Sequence, residues 1–249
     1  MPTRLASRFR LEVVAACLLV IGALPLSIGA QDWHAAIQEG LLKERVLGLL
    51  NLPEVVTGDC IPTAAGVPLR SGPSNTAALI GSLQHAQPCQ VTVQRSGSSA
   101  REALPTSESD YELPAAIVLQ REGPWFRIAL QQGSSWIEHA NQDDFLPYPD
   151  LLRERLTYLR TGWDGGMWKT PGTSDVTPLP AAWRPHLSQD VPIEFLDSRR
   201  LGNQTWMLVR LDPSHRCGEK LKGVDPVAGW IPAHRPSGAP SAWFYSRGC

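Results

Sequence analysis

Two hydrophobic periodicities divide the chain. From Trp33 to Leu52, apolar residues recur at Ile37, Leu41, Leu42, Val46, Leu49 and Leu50. Spacings of three and four mark one face of an amphipathic helix. Asp32 offers an N-cap and Pro53 a stop, while Gly40 and Gly48 weaken the element. Residues 31–55 are therefore predicted as an N-terminal helix whose stripe packs against the β unit C-terminal to it or forms a partner interface. From Cys60 onward the pattern shifts to short apolar runs bounded by turn residues, which predict strands. Leu79–Leu83, Cys89–Val93, Ile117–Leu119, Trp125–Leu130 and Ser135–Ile137 read this way. Residues 96–110, rich in Ser and Glu without an apolar period, read as a surface loop inserted between strands. Asp150–Leu156 reads as a short helix or connector, and Leu156–Leu159 opens a second unit.

The second half repeats the first weakly and in the same order. Leu69-Arg70-Ser71-Gly72-Pro73 lies over Trp168-Lys169-Thr170-Pro171-Gly172, and Val91–Val93 over Val191–Ile193. Trp125–Leu130 lies over Trp206–Leu211, and Ser135-Trp136-Ile137 over Gly229-Trp230-Ile231. The offset changes along the chain because insertions fall in different places, which loops absorb at small cost.

These motifs resemble the bacterial SH3-like (SH3b) family. Its members show a hydrophobic–x–Arg–Ser–Gly–Pro–Ser turn, a Gly after an apolar pair, a Val-rich strand, Trp-aromatic-x-Val and Gly-Trp-Val. The first copy follows this order from Gly66-Val67-Pro68-Leu69-Arg70-Ser71-Gly72-Pro73-Ser74, with Ser135 in place of the usual Gly. The second keeps the two Trp anchors and lacks the Arg–Ser–Gly–Pro–Ser turn. The resemblance implies a mainly β chain of two small SH3-like barrels, residues 56–149 and 150–249. It also implies a recognition role in the cell envelope, with peptidoglycan or an extended peptide of a partner protein as ligand.

Strand alternation assigns the aromatics. Phe126 and Ile128 share the core face of their strand, which leaves Trp125 and Arg127 pointing outward. Met207 and Val209 take the core role in the second copy and Trp206 the outward one. Outward Trp offers a flat apolar face with one N–H donor. Arg70, Trp125, Arg127 and Trp206 are therefore the candidate ligand-binding residues. Competing roles are covered indoles and, for Arg70, closing the turn through backbone carbonyls. Trp136 and Trp230 read as core or rim. Trp163, Trp168 and Trp183 cluster at the start of the second copy, as core or as an aromatic patch.

The chain ends and cysteines bear on compartment. Arg4, Arg8 and Arg10 precede the apolar run Val13–Leu24, and Ser27-Ile28-Gly29-Ala30 supplies small residues. Residues 1–30 thus predict a signal peptide cleaved before Gln31, and a periplasmic or secreted protein with no stable membrane span. Cys17 lies inside the apolar run, too early for a lipid anchor. Four other cysteines, Cys60, Cys89, Cys217 and Cys249, allow three disulfide pairings. Nearest-neighbour pairing, Cys60–Cys89 and Cys217–Cys249, places one bridge in each copy. Each would close a loop of roughly thirty residues and stabilise by about 3–4 kcal/mol.

Charge and chemistry add exclusions. The formal charge is −1, and loss of the three leader Arg and Glu12 leaves 20 basic against 23 acidic residues. Such a balance gives no electrostatic reason to expect nucleic acid. The six His are scattered, outside zinc spacings. No nucleophile elbow or phosphate loop is present, so neither cofactor nor metal is expected. The reading is a non-catalytic protein. A structural adaptor subunit is the alternative, and a small cell-wall hydrolase a weaker one.

Overall fold

A computed structural model describes residues 45–56, 66–86, 90–111, 113–214 and 221–245. The proposed signal peptide, both proposed disulfides and most of the proposed N-terminal helix lie outside these residues. The fold is mainly β and antiparallel. The first sheet is built from β1 (Gly48–Asn51), β2 (Val67–Arg70), β3 (Leu79–Ala86), β4 (Gln90–Arg95), β5 (Arg101–Ala103), β6 (Thr106–Asp110), β7 (Leu113–Glu122), β8 (Trp125–Ala129), β9 (Ser134–Glu138) and β10 (Phe145–Pro147). The second contains β11 (Leu156–Leu159), β12 (Met167–Trp168), β13 (Val176–Thr177), β14 (Val191–Leu201), β15 (Gln204–Leu211), β16 (Val227–Pro232) and β17 (Ala242–Tyr245). Short 3₁₀ turns sit at Gln142–Asp144, Asp150–Leu152 and Ala181–Ser188. No helix among the described residues is long and apolar enough to cross a membrane.

Strand order exposes a duplication more exact than the sequence suggests. The first sheet runs β10-β1-β7-β8-β9-β2-β3-β4-β5, with β6 beside β7; the second runs β17-β11-β14-β15-β16-β12-β13. Both paths are open at their ends among the described residues. Each strand of the second path has a counterpart in the first. Register agrees as well. Val118, Ile128 and Ser135 lie in one row, matched by Phe195, Val209 and Gly229. Both hairpins break register at one point, between Val118 and Gln120 and between Phe195 and Asp197. Both also turn through a left-handed glycine, Gly123 (φ 58°) and Gly202 (φ 59°), a backbone region glycine enters without steric cost.

Three expectations are corrected. Residues 48–51 form a strand, not the end of a helix, and β1 is hydrogen-bonded on both sides, to β7 and β10. Adjacent Leu49 and Leu50, read as one helical face, point in opposite directions into separate cores. Val191–Ile193 corresponds to Pro114–Ala116, not to Val91–Val93, since Thr157 faces Ile193 as Leu50 faces Ala116. Residues 96–110 are not wholly a loop, because β5 and β6 lie within them. In β6, Ser107 and Ser109 are buried despite their polarity. The Ser109 hydroxyl donates to Asn51 Oδ1 at 2.6 Å, which offsets its desolvation.

One apolar core, including Leu50, Leu69, Leu83, Val93, Val118, Phe126, Ile128 and Ile137, fills the first unit. Strands far apart on the hydrogen-bonded path contribute to it, so the sheet curls over a single interior. The other core is continuous across both units. It joins Leu49, Ala115, Ile117, Leu119 and Ala129 of the first sheet to Ile193, Val209, Ile231 and Phe244 of the second. The back of the first sheet is thereby sealed by the interior of the second.

Polar contacts fix this seam. The buried Tyr148 hydroxyl lies 3.0 Å from the carbonyl oxygens of Ala233 and Ala242, donating to them, and accepts from Ala242 N–H at 3.4 Å. Burial pushes this phenol well above its ordinary pKa. His234 Nε2–H donates to Val46 O at 2.7 Å. Desolvation is the main cause that lowers its pKa to about 4, aided by Arg45 and opposed by the Val46 bond. Arg155 donates to Ser109 O and stacks over Phe244 at 4.5 Å, and Arg45 Nη1 donates to Asn203 O at 2.7 Å.

Candidate functional site

Arg70 holds the turn that comes after its strand. In β2, Val67 and Leu69 are buried, Pro68 is exposed, and Arg70 is half-buried at the strand end. Its Nη1 donates to Ala77 O at 2.9 Å, while Ser71 N–H donates to Ala78 O at 3.0 Å. The guanidinium thus occupies the carbonyl of the turn it closes, in the structural one of its two expected roles. Ser135, found where the family resemblance has Gly, donates its hydroxyl to Arg70 O at 2.9 Å. That bond ties the turn to β9.

Cross-strand register gathers three of the four candidates. Arg70 faces Trp136, Trp136 faces Arg127, and Arg127 faces Gln120. Trp125 lies two residues along β8 from Arg127, opposite Glu122 and Glu138. Directly opposed side chains stand about 5 Å apart at Cβ, so long ones on such a face cover one another. Trp125 takes the covered one of its two expected roles, at only 8% exposure, and Trp136 is covered to the same degree. Phe126 and Ile128 are fully buried on the other face, as alternation predicts.

Trp206 belongs to the matching face of the second sheet and is likewise covered, at 5% exposure. Its ring meets Trp168 edge to face with centres 5.1 Å apart. Trp168 faces Trp230 across β12 and β16, and the Arg199 guanidinium lies 5.0 Å from the Trp230 ring centre. Such a cation over an indole contributes roughly 0.5–2 kcal/mol. Trp206 therefore does not join Arg70 and Trp125 in one site; the two faces belong to different sheets. Trp183 is fully buried, its Nε1–H donating to Asp225 O at 3.0 Å.

An open concavity lies beside Trp163, one of the three Trp read as core or as an aromatic patch. A cleft of about 370 Å³ opens in the second unit between the segment before β12, β13 and the 3₁₀ turn at Ala181–Ser188. Trp163, Val176, Leu179 and Leu187 supply its apolar walls, and Asp164 and Arg184 its charge. Trp163 and Leu179 are buried, whereas Asp164, Val176 and Arg184 are exposed. The sequence signals are that Trp cluster and a charged residue directly after Trp163 and again after Trp183.

Titratable groups elsewhere are engaged structurally. His139 is bracketed by Glu54 at Nδ1 (2.8 Å) and Asp144 at Nε2 (2.7 Å), pinning the turn after β9 to the segment after β1. Arg160 pairs with Asp190 at 3.0 Å; burial is the main cause that lowers its pKa, and Asp190 opposes the shift. Among the described residues, no group of three or more His, Cys, Asp or Glu is arranged to hold a metal ion. No family model, no curated protein and no solved structure matches the chain.

Proposed function

We propose that the protein is a non-catalytic recognition component of the bacterial cell envelope, periplasmic or secreted, made of two SH3-like units. Its ligand is peptidoglycan or an extended peptide of a partner protein. The observation that carries this reading is the doubled strand order with matching register, bulge and turn in both sheets. It supports a tandem array of one small β module, the arrangement implied by the motifs around Arg70, Trp125 and Trp136. The single curled core of the first unit fits a small barrel. The concave, apolar cleft with few charged groups suits binding.

Retention of the purified chain on isolated cell-wall sacs, with competition by soluble muropeptides, tests this function. Failure to co-sediment at low ionic strength would reject peptidoglycan as the ligand. A muropeptide-release assay addresses the hydrolase reading: release abolished by one polar substitution would make the protein an enzyme. The adaptor reading draws on a specific observation, the core shared between units, which makes the pair a rigid body of the kind that holds partners at fixed spacing.

A further inference from the structure

We infer that the cleft beside Trp163 binds a short peptide with an aliphatic side chain and both ends free, its ammonium at Asp164 and its carboxylate at Arg184. The inference rests on the proposed recognition role only in taking the peptide as bound and released unaltered.

Charge complementarity selects this occupant. The walls are apolar, from the Trp163 indole to Val176, Leu179 and Leu187, so the ligand's body is apolar. Gly165, Gly166 and Pro178 also line it, and one carboxylate and one guanidinium, on separate segments, are its only charges. An anion alone would be repelled by Asp164 and a cation alone by Arg184. A wholly apolar group would leave both charges unaddressed. A zwitterion with an aliphatic middle matches the apolar walls and both charges.

Both charged groups are open to a ligand. Asp164 lies close enough to Arg235 to favour that residue's charge. The Arg235 Nη2, however, donates to the carbonyls of Arg160 and Thr161 at 2.7 and 2.9 Å, not to Asp164. Arg184 is exposed at the cleft. The volume of about 370 Å³ is at the small end of the range of about 300–1,000 Å³ for ligand pockets. That size suits a peptide of about two or three residues and excludes a folded partner.

The test is calorimetric titration of the full chain with Ala-Leu-Ala, its N-acetylated form and its C-amidated form. We expect either cap to weaken binding roughly 1.5- to fivefold, the range for an exposed ion pair. Asp164→Asn should erase the effect of acetylation and Arg184→Gln the effect of amidation. Both positions are exposed, so the fold should survive. Equal binding of all three peptides, binding indifferent to both substitutions, or no binding would overturn the inference. Cell-wall sac retention separates the two proposals. If sacs retain wild type and both variants equally while no peptide binds, the cleft assignment fails and the recognition role stands.

Discussion

The rings of Tyr148 and His234 meet edge to face, 5.1 Å between centres, across the seam joining the two units. Tyr148 closes the first unit and His234 lies just past the last long strand of the second sheet. Their contact, with the hydrogen bonds each makes, ties distant parts of the chain. Tyr148→Phe keeps the ring and removes the hydroxyl that serves Ala233 and Ala242. Ala233 O keeps the Ser241 N–H at 2.9 Å, whereas the buried Ala242 carbonyl loses the Tyr148 donor, at a cost of about 1–3 kcal/mol. Urea unfolding should show that loss as a lower midpoint in one transition, because both units share a core. Two separate transitions would contradict the shared core.

Acid should weaken the seam through His234. Its folded pKa is depressed to about 4, against about 6.5 in an unfolded chain. Above pH 6.5 the imidazole is neutral in both states and contributes no pH dependence. As pH falls from 6.5 to 4, the unfolded chain takes up a proton that the folded one refuses. Stability therefore drops through that window, by about 3 kcal/mol in total, and the effect levels off below it. His234→Gln, which keeps a donor for Val46 O, should flatten this part of the profile. Urea midpoints at pH 7.5 and 4.5 for both proteins measure the difference; an unchanged gap would show that another group sets it.

Trp125→Ala should act on stability. At 8% exposure the indole is packed, and truncating a buried Trp costs about 3–5 kcal/mol. Thermal unfolding should show a marked fall in Tm. Lost ligand binding with unchanged Tm would return Trp125 to a contact role.

Gly229 is the counterpart of Ser135, yet the two positions should respond differently. A Cβ at Gly229 would meet the Met167 Cβ at 2.7 Å, a clash between rigid atoms. Gly229→Ala should cost about 1–3 kcal/mol through overpacking. Ser135→Ala loses one hydrogen bond to Arg70 O and should cost about 1 kcal/mol. Chemical denaturation of the pair ranks them, and equal costs would mean that β12 can give way.

The strong anchors of the fold are legible in the sequence. Alternation places Phe126, Ile128, Met207 and Val209 in cores, and the Trp pairs align the β8–β9 and β15–β16 hairpins in the register they adopt. Burial on both sides defeats the same pattern. Leu49 and Leu50 look helical because strands with two covered faces lose their alternation. Neighbours on the same face also hide Trp125 and Trp206, since alternation tells which side of a sheet a residue takes and not what lies over that side. In β7, the counterpart of Val191–Ile193 is Pro114-Ala115-Ala116, whose small side chains carry little hydrophobic signal. The Val-rich β4 is the stronger match by composition and the wrong one by register. Residues 106–110 carry no apolar period because small hydroxyl-bearing side chains fill their buried positions. Beyond Trp163 the cleft leaves little trace, because its lining comes from segments too short to show a period.

The shared core has a mechanical meaning. β1 is a common wall, with Leu49 in one interior and its neighbour Leu50 in the other. Tension applied to either unit would reach the other through this strand before any hinge could take it up. Severing the chain after Pro149 would not yield two working halves: the first would show a bare apolar back, and the second would lose one wall of its interior.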